Sequence, residues 1–148
     1  MAILAAVDEN ERSRTAIRIA SDLAVTYDET LVALHVMPDE DFDSHRRSLE
    51  DIPGFENYSF TQAEDSAKQF AREVVMETVE ELDSDRIEAR GRVGDVTDKI
   101  LAETESVEPR FLVIGGRRRS PTGKAVFGNT TQQVLLNAEC PVVTRLSE

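Results

Sequence analysis

The sequence predicts an α/β fold, a parallel sheet wrapped by helices on both faces. Apolar runs of strand length at 2–7, 30–36 and 111–114 alternate with stretches whose apolar residues recur at helical spacing. Asp8, Pro38 and Gly115 bound these runs, as expected where strands buried on both faces emerge at a sheet edge. The order is βαβ, a long loop, then αβαβαβ, and right-handed crossovers place the helices on both faces of the sheet. A chain of 148 residues suffices for one core, so 1–148 is expected to be a single domain.

Each element has its own signal. The run 2–7 reads as the first buried strand. Ala16, Ile17, Ala20, Leu23 and Ala24 then form a helical stripe, with Ser13 as its expected N-cap. A second strand spans 30–36. Residues 38–60 carry acids around a His-Arg-Arg cluster and a Pro53-Gly54 turn, without sustained period, and read as a long, mobile loop. Ala63, Ala67, Phe70, Ala71 and Val74 restore helical spacing, in a helix expected to run to Leu82. Charged residues alternate with Ile87, Ala89, Gly91 and Val93, the pattern of a half-exposed strand near a sheet edge. Asp95 is suited to cap the next helix, which carries Val96, Ile100, Leu101, Thr104 and Val107 and is closed by Pro109. After the strand 111–114, a short helix with Thr131, Val134, Leu135 and Ala138 leads to a last strand, 141–146.

Acids outnumber bases, 29 against 17, for a net charge of −12. This argues against binding nucleic acid or an anionic membrane through overall charge. The only lysines are Lys68, Lys99 and Lys124, and an acid-rich, lysine-poor surface would suit a high-salt cytoplasm. Cys140 is the sole cysteine and reads as a small core residue. The opening apolar run is too short to span a membrane and lacks the positive flank of a signal peptide, so the chain is expected to be soluble and cytoplasmic.

The segment 115–133 is a local basic exception. A strand that enters a glycine-rich loop with Arg117, Arg118 and Arg119, and then a helix start, is built to hold an anion. The bland alternative is a solvated surface loop. In open parallel sheets, ligands sit beyond the carboxyl ends of the strands. Asp8, the stretch after Val36 and the Gly115 loop all leave from such ends.

Taken together, Val7-Asp8, Ala33-Leu34-His35-Val36, Gly94-Asp95, Val113-Ile114-Gly115, Gly128-Asn129-Thr130 and Cys140-Pro141-Val142-Val143 give a chain that resembles the universal stress protein family over nearly its full length. The resemblance implies a three-layer sandwich of the Rossmann-like adenine nucleotide alpha hydrolase type. Its five-stranded parallel sheet would have the order 3-2-1-4-5, with a homodimer through the last strand. It also implies ATP or a related adenine nucleotide as ligand, with Mg2+ as counter-ion. Nucleotide-binding members carry a loop of glycine, two residues, glycine, nine residues, glycine, then serine or threonine. Counting back from Gly128 places Gly115 on the first glycine, Arg118 on the second and Asn129 on the hydroxyl position, so two of the four motif positions depart. The arginines offer bidentate contacts to phosphate, and Asn129 offers an amide and a cap for the following helix. The nucleotide-binding set implied is Ala6, Val7, Asp8, Val36, Ile114, Gly115, Arg117, Arg118, Gly128, Asn129 and Thr130. For Asp8 a turn or helix-entry role is the competing reading, and Gly94 either turns toward the ribose or merely ends a strand.

Catalytic signatures are missing. Lys124 is followed by Ala125, which breaks a Walker loop, and no Gly-x-Ser-x-Gly occurs. His35 and His45 have no partner at metal-ligand spacing; the first is expected in or near the core and the second in solvent. The expectation is therefore a stress-response module gated by a nucleotide, with at most slow, incidental hydrolysis. The alternative is a family member without nucleotide that serves as a dimeric protein-interaction scaffold.

Overall fold

The computed structural model describes residues 1–50, 60–117 and 128–147. Five parallel strands, β1 (Ala2–Ala6), β2 (Thr30–Pro38), β3 (Ile87–Gly94), β4 (Phe111–Arg117) and β5 (Val142–Ser147), form one sheet in the order β3-β2-β1-β4-β5. This is the order the resemblance implies. β1 occupies the middle, with Ala6 paired to Leu34 on one side and Ala5 to Val113 on the other.

Alternation along each strand splits the core in two. Ile3, Ala5, Ala33 and Val113 face α1 (Glu11–Tyr27) and α3 (Phe60–Thr78), which contribute Ala16, Ile17, Ala20, Ala71 and Val75. Leu4, Val32, Leu34, Leu112 and Ile114 face the other way, against Ile100 of α4 (Val96–Val107) and Val134 of α5 (Asn129–Asn137). The three layers thus follow from strand alternation together with two helical stripes on each face.

Polar clasps fix the helices at the sheet margins. Glu103 is buried on α4 and accepts from Arg90 Nη1 at 2.9 Å, while Arg92 Nε lies 2.7 Å from its other oxygen, tying α4 to the edge strand β3. At the amino-terminal edge, buried Glu29 takes Arg110 Nη2 at 2.8 Å, and the guanidinium stacks over Tyr27 at 4.5 Å. The hydrogen bond from Arg110 holds the Glu29 carboxyl below the usual glutamate range, despite burial acting the other way.

Several expectations are corrected. Residues 38–60 are not one loop: Asp39–Glu50 forms a helix, α2, and 51–59 lie outside the described residues. Apolar period is a poor guide here. The ordering signal is charge, with Asp39, Glu40 and Asp41 at the positive helix end and Arg47 at the negative one. Helix α1 starts earlier than its stripe suggested, with Asn10 rather than Ser13 at the N-cap, and α3 ends at Thr78 rather than Leu82. Gly128, not Asn129, is the N-cap of α5. The expected Asp95 cap is present, accepting from Asp98 N at 2.9 Å.

Candidate functional site

The carboxyl edge of the sheet gathers most of the residues singled out above. β1 runs out through half-buried Ala6 and buried Val7, whose N–H donates to Leu34 O at 2.8 Å and so extends the pairing with β2. Val36 lies at the same end of β2, buried against the α4 and α5 layer. On the other side of β1, Ile114 is buried and Gly115 half-buried in β4, two residues short of Arg117, where the strand ends. Gly128 and Asn129 open α5, and Thr130 follows half-buried. Arg118 and the side chain of Arg117 lie outside the described residues.

Asp8 leaves β1 exposed and organises the turn into α1. Its Oδ1 accepts from Ser13 Oγ and from Asn10 N, each at 2.8 Å, and its own N–H donates to Ser13 Oγ at 2.6 Å. This is the turn role that competed with a ribose role in the sequence, and it leaves the second carboxylate oxygen, Oδ2, without a bond among the described residues. Ser13, which spacing suggested as a cap, is the inner member of this lock.

The two motif glycines differ in physical meaning. A β-carbon on Gly115 would lie 2.8 Å from Arg12 O and 2.9 Å from Arg12 Cβ, so glycine there lets α1 sit against β4. Among the described residues, a β-carbon on Gly128 would meet nothing within 4 Å, and its φ of −60° suits any residue. Toward the described residues, the absent side chain leaves the first turn of α5 uncovered. Thr131 Oγ1 donates to Gly115 O at 3.2 Å and holds that turn to the strand end. Among the described residues no side chain caps α5, so its leading amides and positive dipole end suit an anion.

His35 was missed as a neighbour of this edge. Its Nδ1–H donates to Val7 O at 2.8 Å, and its ring lies 4.5 Å from that of Phe70. Period alone places it in a strand; only the pairing of β2 with β1 brings it under Val7. Beside Asp8 a cleft of about 160 Å³ is lined by Glu9, Arg14, Phe70, Glu73 and Glu77, smaller than ligand pockets of roughly 300 Å³ or more. Its carboxylates disfavour phosphate. A wider concavity of about 730 Å³ lies at the amino-terminal edge, around Glu105, Glu108, Arg110, Phe111 and Cys140, and takes in none of the predicted site residues. The Cys140 thiol there is half-buried, and burial raises its pKa, which disfavours the thiolate. Among the described residues, no group of three or more His, Cys, Asp or Glu side chains is arranged to hold a metal ion. Nor is any described helix long and apolar enough to cross a membrane.

A parallel five-stranded sheet with helices on both faces defines an α/β protein of the doubly wound class. The family model described as the universal stress protein family matches residues 1–144, and the chain belongs to that family. A universal stress protein of Mycolicibacterium smegmatis is 44% identical over 55 residues, which is 36% of this chain and 41% of that protein. The match therefore spans about two-fifths of that relative's length. Among solved structures, a universal stress protein in complex with cAMP aligns with a TM-score of 0.64 at 14% identity, covering 100% of this chain and 98% of that one. The universal stress protein from Archaeoglobus fulgidus in complex with dAMP aligns at 0.58 and 18% identity, covering 97% and 96%. At these identities the structural likeness bears on the fold.

Proposed function

We propose that the carboxyl-edge crevice binds ATP or a related adenine nucleotide, and that the protein works as a cytoplasmic, nucleotide-gated stress-response module. The observation that carries this reading is the open face of Gly128 at the uncapped start of α5, beside the end of β4. A phosphate placed there meets backbone amides and a positive dipole end. The adenine and ribose would lie toward Val7, Asp8 and Val36, with Oδ2 of Asp8 available to a ribose hydroxyl. The structures of related fold bound to cAMP and dAMP support an adenine nucleotide as the ligand class. Arg117 and Arg118 supply charge to the phosphates, with Mg2+ as their counter-ion. Hydrolysis is slow and incidental in this reading, since no residue in a position to activate water has been assigned. Residues 1–148 act as one domain, and two copies associate through β5.

Calorimetric titration of nucleotide-stripped protein with Mg-ATP, AMP and inorganic phosphate, at moderate and high salt, tests the reading. The expected result is saturable ATP binding that is lost in a folded Gly128→Val variant. At a hundredfold excess over its dissociation constant, the nucleotide then adds about 2.7 kcal/mol to stability, visible as a raised melting temperature. Absence of heat from folded protein under every condition would instead favour the dimeric scaffold.

A further inference from the structure

The pairing of β1 with β2 stops one bond short of where the backbone would carry it. The register ends at Ala6 opposite Leu34, although Val7 still donates its N–H to Leu34 O at 2.8 Å. In a parallel ladder the next bond runs from the amide two residues beyond Leu34, that of Val36, back to the Val7 carbonyl. Among the described residues no backbone amide donates to that carbonyl. His35 takes it instead, through Nδ1 at 2.8 Å. A carbonyl only accepts, so this ring nitrogen carries the proton. Phe70 holds the ring in that pose, its centroid 4.5 Å away.

The Val36 amide is the group this exchange leaves over. Successive residues of an inner strand turn their amides to alternate neighbours, so Val36, like Leu34, faces β1 and not β3. It lies beyond the last paired residue of β1, on a residue only 6% exposed. Among the described residues nothing accepts from it. Buried backbone amides are almost always paired, which makes this one an exception that calls for an acceptor. It stands at the carboxyl edge of a parallel sheet, where ligands of this architecture sit. An acceptor atom on a ligand would complete it.

Resting on the nucleotide reading above, we infer that His35 is a positioning residue of the site: by taking the Val7 carbonyl, it keeps the Val36 amide out of the sheet and free to donate to an acceptor nitrogen of the base. His35 itself touches no ligand. It stands one step past the Ala6 and Leu34 pair, opposite Val7, so its side chain reaches a carbonyl that an aliphatic residue there would leave to the backbone. The phosphates make no demand on this residue.

The test is titration of wild type, His35→Leu and His35→Asn with adenosine, ATP and inorganic triphosphate, together with amide hydrogen exchange at Val36 followed by NMR. Leucine fills the space without a donor, so the Val36 amide closes onto Val7 O. His35→Leu is then expected to weaken adenosine and ATP by the same factor, about twofold to tenfold, the worth of one hydrogen bond between neutral groups, and to leave triphosphate unchanged. Asparagine carries an N–H where the imidazole Nδ1 stood and recovers most of the adenosine affinity. Without ligand, the Val36 amide exchanges faster in wild type than in His35→Leu, and adenosine slows it in wild type. A merely structural role would weaken triphosphate along with adenosine and would leave exchange at Val36 no slower in the variant; either result overturns the assignment. So does an adenosine affinity unchanged in His35→Leu, which leaves the nucleotide site in place. If His35→Leu does not fold, a wild-type Val36 amide whose exchange adenosine leaves unchanged overturns it. Wild-type protein that binds neither adenosine nor ATP would remove the nucleotide reading and this assignment together.

Discussion

At Gly115 a β-carbon would press on the backbone of α1, and at Gly128 it would meet none of the described residues. The same residue type thus serves packing at one motif position and access at the other. Gly115→Ala must push α1 away from β4 and should destabilise the unliganded protein by about 1–3 kcal/mol, the usual cost of overpacking. Gly128→Ser puts a good N-cap residue on a permissive backbone and should leave stability within about 0.5 kcal/mol. Urea unfolding of both variants checks the contrast. Equal losses would show that Gly128 is also a packing residue, and would remove the reason to regard its open face as a ligand's approach.

At the scale of elements, α3 packs closely on β3 at Gly91. A β-carbon on Gly91 would strike the carbonyl of Glu64 and the amide of Lys68, and would lie 2.9 Å from the carbonyl carbon of Ala67. These are backbone atoms of a helix and cannot rotate away. Ala63, Ala67 and Ala71 keep that face of α3 small, so the helix lies almost on the strand. Gly91→Ala should therefore cost about 3 kcal/mol, the upper part of the overpacking range, and lower the urea midpoint without changing nucleotide specificity. A variant as stable as wild type would mean that α3 shifts freely on the sheet. The clasp of Glu103 by Arg90 and Arg92 holds the opposite face of the same edge strand. β3 is thus sandwiched between a close-packed helix and an ion-paired one, and its open side carries charge, which discourages further strand pairing.

For the whole molecule, the outer side of β5 is the sheet edge without such protection. Its Val142, Val143, Thr144 and Leu146 are half-buried in the single chain, and no further strand pairs with it among the described residues. The homodimer we propose through this strand covers the edge with its own copy across a two-fold axis. Val143→Lys should then give monomer in sedimentation at concentrations where wild type is dimeric. A dimer that survives the substitution would place the contact elsewhere.

Much of this architecture was legible in the chain because strand alternation and helical stripes are local patterns. The apolar runs mark β1, β2 and β4, the alternation after Arg86 marks an edge strand, and Asp95 marks the start of α4. Helix α2 was not legible, since its ordering signal is charge at its ends rather than an apolar stripe. The sequence by itself determined the α/β class and the set of strand ends from which a site must be assembled, because these depend on residue type and spacing. Only the tertiary structure decided what each residue does there. It set Gly115 against α1, opened Gly128, engaged Asp8 with Ser13 and brought His35 beneath Val7. Such roles depend on which surfaces approach one another across the sheet, and spacing along a chain does not encode that distance.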